Sequence, residues 1–341
     1  MSDFVRLNGS ICTFNGSDSW VILSPIEQSI KNKIESVGTP LRDWDINIYR
    51  GVLTGYNEAF IIDTAKREEI LANCKTEDER NRTAELIRPI LRGRDIKRYG
   101  YDWADLYLIA TFPAKHYDIE QYPSVKQYLL SFAKDDLLNA GYDWVVNDYL
   151  ADFCKQKLSQ TGSFIEIKGK RITLGTTPEK ARKRTNNKWF ETQDSISYWD
   201  DFFKPKIVYM EIQTDNPQAG YPFPCYSFDN RNSIALNTAY ILTSDTTDVK
   251  YILGVLNSST GRILTKYYVT QLQERQFRML AQYVCNFPIP IANEATTKEI
   301  IRLVDKRLGG DLSAECKIDK LVFDIFQFSN EEIAYIGNRK L

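Results

Sequence analysis

Near residue 245 the periodicity of this chain changes, and that change confines it to a mixed α/β (α+β) fold. Upstream, within 160–245, Phe164–Ile167, Lys206–Ile212, Tyr226–Phe228 and Ser233–Leu242 are strand candidates separated by Gly, Pro and Asn turns. Downstream the spacing is helical. Residues 247–257 and 259–268 read as short helices, with Thr246 or Thr247 as the first cap. Asn286–Pro290 cannot continue a helix through its prolines and reads as a joint. Thr297–Leu308 stops at a glycine pair, and 314–326 sets Ala314, Ile318, Leu321, Val322, Ile325 and Phe326 on one helical face. Ser329 with Glu332 caps a last short helix. The expected organisation is a β-rich body with flanking helices, 1–295, and a C-terminal helical appendage, 296–341.

The first half mixes both element types. Ser24-Pro25 opens a helix to about Val37, with Ile26, Ile30 and Ile34 four residues apart. Residues 45–53 and 58–63 read as two strands around a turn at Thr54–Asn57. Thr76 with Glu79 forms a capping box whose helix must stop before Pro89. Leu106–Phe112 reads as a buried strand, and Pro123-Ser124 begins an amphipathic helix to about Leu138.

The 341 residues, 43% hydrophobic and 26% charged, suit a folded globular chain. Apolar runs such as Leu106–Ala110 and Tyr251–Leu256 are far too short to span a bilayer, and the start, MSDFVRLNGS, lacks a basic-then-apolar leader. The expectation is a cytoplasmic protein without a membrane partner. The six cysteines contain no C-x-x-C pair and there is one histidine, His116, so reduced thiols are expected rather than a metal site.

Net charge is −1, but the cations are unevenly placed. Arg88, Arg92, Arg94, Lys97 and Arg98 face one acid, Asp95, within 88–98. Lys168, Lys170, Arg171, Lys180, Arg182, Lys183, Arg184 and Lys188 face only Glu179 within 168–188. Two readings fit: a basic cleft for a phosphate backbone on an otherwise acidic body, or solvated basic loops. In Leu91–Tyr99 the glycine between two arginines allows close backbone approach, and an arginine can fork onto phosphate or guanine. Thr176–Phe190 is a basic run ending on Trp189-Phe190, an aromatic anchor suited to clamping a backbone. The turn holding Thr54, Tyr56 and Asn57 lacks the Gly-Lys-Ser/Thr ending of a phosphate loop, but carries polar groups that a DNA groove could meet.

Catalytic signals are sparse. Glu166-Ile167-Lys168 is half of a magnesium-dependent nuclease pattern, with Asp148 and Asp152 upstream and the proline-aspartate half missing. His116 has no nucleophile in a recognisable elbow. Adenine N6 methylation needs a donor-binding glycine turn and an Asn/Asp-Pro-Pro-aromatic loop for the flipped base. The chain has no Pro-Pro pair, and Asp215-Asn216-Pro217-Gln218 reads as a surface turn.

Several segments nevertheless point to a family. Trp20–Gln28, Gly38–Leu41 and Arg50–Asp63 resemble the segment that follows the catalytic domain in type IIG restriction-modification methyltransferases. Ile87–Tyr99, Trp189–Tyr198, Lys204–Ile212 and Tyr251–Tyr268 resemble the TaqI-like C-terminal specificity (target recognition) domain of these adenine-N6 DNA methyltransferases. Ile318–Phe326 with Ser329–Ile333 is similar to their helical ending. The resemblance implies a module that recognises specific double-stranded DNA, mainly from the major groove, and presents an adenine to a methyltransferase domain or subunit outside this chain. That domain would bind S-adenosylmethionine; no cofactor, metal or catalytic residue is expected here. It also implies a separated subunit or a C-terminal fragment of a type IIG restriction enzyme. The residues expected on DNA are Tyr56, Asn57, Arg92, Arg94, Lys97, Arg98, Arg182, Arg184 and Lys188. The rival readings are a stand-alone nuclease using Glu166 and Lys168, and a protein-interaction scaffold using the C-terminal helices.

Overall fold

The computed structural model describes residues 23–131, 164–167, 170–173, 187–188, 190–216, 222–273 and 275–337. The first helix, α1 (Pro25–Val37), begins as the capping box dictates: Ser24 Oγ accepts from the Glu27 N–H at 3.4 Å and Glu27 Oε2 accepts from the Ser24 N–H at 2.7 Å. It buries Ile30 and Ile34. Strand β1 (Gly38–Pro40) follows, then β2 (Asn47–Arg50).

The expected hairpin around 54–57 does not form. Residues Asn57–Phe60 are a single helical turn, α2, leading into β3 (Ile61–Asp63), and β2 and β3 belong to different sheets. The cause is long-range. The Val52 N–H donates to Ala235 O at 2.8 Å and the Asn237 N–H donates to Val52 O at 3.0 Å, which holds the chain away from its own return path. Helices α3 (Thr64–Ala72) and α4 (Glu77–Leu86) come next; Thr76 caps α4 by accepting from the Glu79 N–H at 3.1 Å. Pro89 lies inside β4 (Ile87–Leu91), at the crossover between neighbours: residues 87–89 pair with β5 (Leu106–Ile109), and Ile90 and Leu91 pair with β11 (Ile234–Ala235). Helix α5 (Pro123–Ser131) matches its expected start; 132–138 lie outside the described residues.

The remaining strands are β6 (Phe164–Ile167), β7 (Lys170–Thr173), β8 (Lys206–Met210), β9 (Ile212–Thr214), β10 (Tyr226–Asp229), β12 (Ala239–Thr243), β13 (Gln271–Gln273), β14 (Gln276–Arg278) and β15 (Pro288–Pro290). The antiparallel sheet β10-β8-β12-β2 separates two hydrophobic cores. Alternation along its strands divides the side chains between them. Tyr49, Val208, Ala239 and Ile241 face one core, with Phe60, Leu91, Leu108 and Phe202. Ile207, Tyr209, Tyr226, Tyr240 and Leu242 face the other, with Ile30, Val255 and Leu256. Both faces are therefore covered, which is why β12 is buried at every position. On the first face Lys206 Nζ meets Asp229 Oδ2 at 2.5 Å, with both side chains fully buried. Burial pushes the Lys206 ammonium below its ordinary value, against the pull of Asp229. Asp229 also accepts from Tyr101 Oη at 2.9 Å and the Ser233 N–H at 3.1 Å, so its oxygens are saturated.

Helix α6 (Val249–Asn257) is capped by Asp248 rather than Thr246 or Thr247, and α7 (Ser259–Tyr268) by Ser258. After the short α8 (Ala281–Val284), the proline joint forms β15, which pairs antiparallel with β1. Helices α9 (Glu294–Leu308), α10 (Ser313–Phe326) and α11 (Asn330–Gly337) complete the chain. They do not stand apart as an appendage beginning at 296. Ile300, Val304, Ile318, Val322 and Phe326 share one core with α1, α6 and the central sheet, because their apolar face has no other partner large enough to cover it. Among the described residues no helix is long and apolar enough to cross a membrane.

Candidate nucleic-acid interface

Four separated stretches of chain, at Gly51, Gly93, Glu211 and Thr238–Ala239, lock together. The Gly93 N–H donates to Thr238 Oγ1 at 2.9 Å, the Glu211 N–H to Thr238 O at 2.9 Å, and the Gly51 N–H to Ala239 O at 2.8 Å. A Cβ on Gly93 would lie 2.7 Å from Thr238 O, and one on Gly51 would lie 2.1 Å from Leu236 O. The glycine between the arginines thus permits close approach to the protein's own 235–239 loop. Arg92 belongs to the same lock: its Nε and Nη2 fork onto Asp95 at 2.9 and 2.7 Å, while its N–H donates to Asp95 Oδ2.

What this platform leaves outward is cationic. Arg94 is exposed. Arg50, whose side chain is 53% exposed, donates Nε to Asn237 O at 3.2 Å and approaches Glu211 Oε2 at 3.0 Å. Arg278, 46% exposed, reaches Glu211 Oε1 at 2.9 Å. One carboxylate, itself 13% exposed, therefore orders two arginines on one strip without neutralising the set. Beneath Arg50, Tyr198 Oη donates to Arg50 O at 2.6 Å and its ring stacks on Tyr49, with centroids 4.2 Å apart. Burial, then the Asp194 carboxylate, pushes the Tyr198 hydroxyl up to about 12, so it remains a donor at neutral pH. Arg50 and Arg278 were missed in sequence because neither lies in a basic run; the exposed arginine ending a strand is the only local signal.

The expected DNA-contacting residues are scattered by the fold. Arg94 is exposed next to Gly93, whose N–H is bonded to Thr238. Tyr56 is buried in the core below it, where one-turn α2 places it with Phe60. Asn57 is exposed and accepts from Thr54 Oγ1 at 2.6 Å. Lys188 is exposed, with Nζ 5.6 Å from the centre of the Phe190 ring. Asn57 and Lys188 sit on adjoining loops, since the Leu53 N–H donates to Asp194 Oδ2 at 2.8 Å and the Gln193 N–H to Thr54 O at 3.0 Å. Gly51, Val52 and Leu53 join Arg50 to Thr54, a span of at most about 14 Å. Arg182 and Arg184 lie outside the described residues, as do Lys168, Asp148 and Asp152; Glu166 is on β6.

Lys97 and Arg98 point elsewhere. They line a cleft of about 740 Å³ together with Arg262, Arg307 and Glu315. Arg98, 15% exposed, is held by Glu315 Oε2 at 2.8 Å, by Pro224 O at 2.9 Å and by Asn257 O at the C-terminus of α6. Arg307 shares the same carboxylate, at 2.5 Å. Arg98 thus lacks the exposed, outward setting expected of a phosphate-holding residue, because a carboxylate and two carbonyls from distant segments surround it. Lys97 lies 3.7 Å from Asp102.

Comparison with known proteins agrees with the segments that first pointed to a family. Type II methyltransferase M.PaeR7I of Pseudomonas aeruginosa is 21% identical over 330 residues, covering 95% of this chain and 45% of that protein. The chain thus spans less than half the length of this curated relative. The type IIL restriction-modification enzyme MmeI, solved in complex with DNA, superposes with a TM-score of 0.48 at 17% identity, over 87% of this chain and 35% of the other. The type IIG restriction endonuclease BpuSI gives a TM-score of 0.41 at 10% identity, over 89% and 33%. The model of the TaqI-like C-terminal specificity domain matches residues 88–289, from β4 into β15, a stretch that holds Arg94 and Arg278 but not Arg50, and the chain belongs to that family.

Proposed function

We propose that this chain recognises a specific sequence in double-stranded DNA and presents it to the methyltransferase domain or subunit of a restriction-modification enzyme. S-adenosylmethionine binding and methyl transfer belong to that partner. The observation that carries this reading is the strip of Arg50, Arg94 and Arg278 held outward on a platform of interlocked main chain. Such exposed cations suit phosphates or guanine edges. Family membership supports the same reading.

The test is duplex binding as a function of salt. Arg94→Ala and Arg278→Ala each remove one outward cation, so the slope of log K against log salt should become shallower by about 0.9 per lost phosphate contact. Folding stability should change little, because neither side chain is buried. Unchanged affinity and slope in the double variant would remove the strip from the interface.

A further inference from the structure

The edge of the molecule beside Arg278 carries an element that the folding of the chain does not explain. Strands β13 and β14 pair antiparallel, with Gln271 opposite Phe277, Gln273 opposite Gln276 and a shift of register between the two pairs. Phe277 and Met279 anchor its base in the core, Phe277 stacks on Phe223 with centroids 5.4 Å apart, and β14 pairs with β9. The outer strand is different: Gln271, Leu272 and Gln273 are all exposed. Among the described residues, no hydrogen bond or ion pair holds the side chains of Gln271, Gln273 or Arg275. Leu272 and, on β9 across from Arg278, Ile212 are each 47% exposed, among the few large apolar side chains left in water.

Arg275 at the tip adds a second, independent observation. Its φ is +63°, a left-handed conformation that glycine or asparagine adopts without penalty and arginine does not. A turn selected for stability alone would carry glycine there. The chain instead accepts backbone strain there and leaves Arg275 exposed, and strain kept at an exposed turn motivates a search for function.

We infer that the β13–β14 hairpin is the base-reading element of this chain, entering the major groove of B-form DNA as a two-stranded ribbon. This rests on the proposed recognition of duplex DNA. The major groove admits a β-ribbon of this width. Glutamine forks onto the N6 and N7 edge of adenine, and an aliphatic side chain packs against the thymine methyl group, so an exposed Gln-Leu-Gln strand suits A·T pairs. Arg275 and Arg278 outnumber the one acid of the segment, Glu274, and leave it a positive charge that complements the phosphates beside the groove. The strip of Arg50 and Arg94 continues from Arg278 through Glu211 and Thr238, so a duplex seated on the strip brings its groove to the hairpin.

The experiment selects bound duplexes from a random pool, using the wild-type chain, Gln271→Ala/Gln273→Ala, and Arg275→Gly. The glutamine variant should lose its preference at one or two A·T positions, a fall of roughly 5- to 150-fold in discrimination per position, while its affinity for a scrambled duplex stays the same. Arg275→Gly should bind all duplexes more weakly, yet unfold at the same or a higher temperature. If wild type enriches a sequence and the glutamine variant enriches the same one with equal stringency, the hairpin is not the reader. Unaltered binding by Arg275→Gly overturns the role of the tip. A wild-type chain that enriches no sequence overturns both this inference and the function on which it rests.

Discussion

Arg94 and Arg98 stand four residues apart in the same basic run, yet the fold gives them opposite settings. Arg94 faces solvent beside a glycine packed on Thr238, whereas Arg98 is gripped by Glu315 and two carbonyls from distant segments. Their substitutions should separate accordingly. Arg98→Met leaves Glu315 with Arg307 alone and frees two carbonyls, so it should lower stability by about 2–4 kcal/mol, within the range for breaking a largely buried pair. A urea titration followed by circular dichroism checks this, and protein that remains folded should keep the wild-type salt dependence of DNA binding. A shallower salt slope with wild-type stability would instead make Arg98 a phosphate ligand. No property of the local sequence separates the two arginines, because the Glu315 partner lies 217 residues away.

Among the elements, α1 and α11 are joined by a clasp that responds to acid. Glu332 on α11 accepts from Lys33 Nζ and Ser29 Oγ on α1, both at 2.7 Å, and from the Ser329 N–H at 2.7 Å; its side chain is 5% exposed. Burial alone would raise its pKa, but the Lys33 ammonium, the Ser329 N–H and the Ser29 hydroxyl outweigh it and bring the carboxyl down to about 2. A carboxyl depressed in the folded state adds stability above its ordinary value, and that contribution is lost as pH falls from about 5 towards 2. The clasp should therefore supply roughly 1–3 kcal/mol at neutral pH. Glu332→Gln should unfold more readily at pH 7 and show a flatter decline of stability between pH 5 and 2, measured by thermal melts across that range; a decline parallel to wild type would rule the clasp out. The helix and its Ser329–Glu332 cap were legible in sequence. The clasp to α1 was not, since it joins residues about 300 positions apart.

For the whole molecule, the decisive feature is one sheet serving two cores. Cutting the chain after residue 295 would strip Ile300, Leu303, Val304, Ile318, Val322 and Phe326, each no more than 1% exposed, from the core that covers Ile207, Tyr209 and Leu242. The truncated chain should lose cooperative unfolding in urea and bind a hydrophobic dye; a sharp transition close to that of the full chain would mean that 296–341 is a separable body. The sequence alone determined the capped helices α1, α4 and α11 and the helical pair at 249–268, because caps and periodicity act within about four residues, whereas the family was legible as a resemblance of whole segments. Only the tertiary structure decided that 47–63 is not a hairpin, that the C-terminal helices join the core, and that Arg50 and Arg278 share one carboxylate at the surface while Arg98 is enclosed. Those outcomes depend on main-chain bonds and ion pairs between segments far apart in the chain, and such pairings leave no local pattern to read.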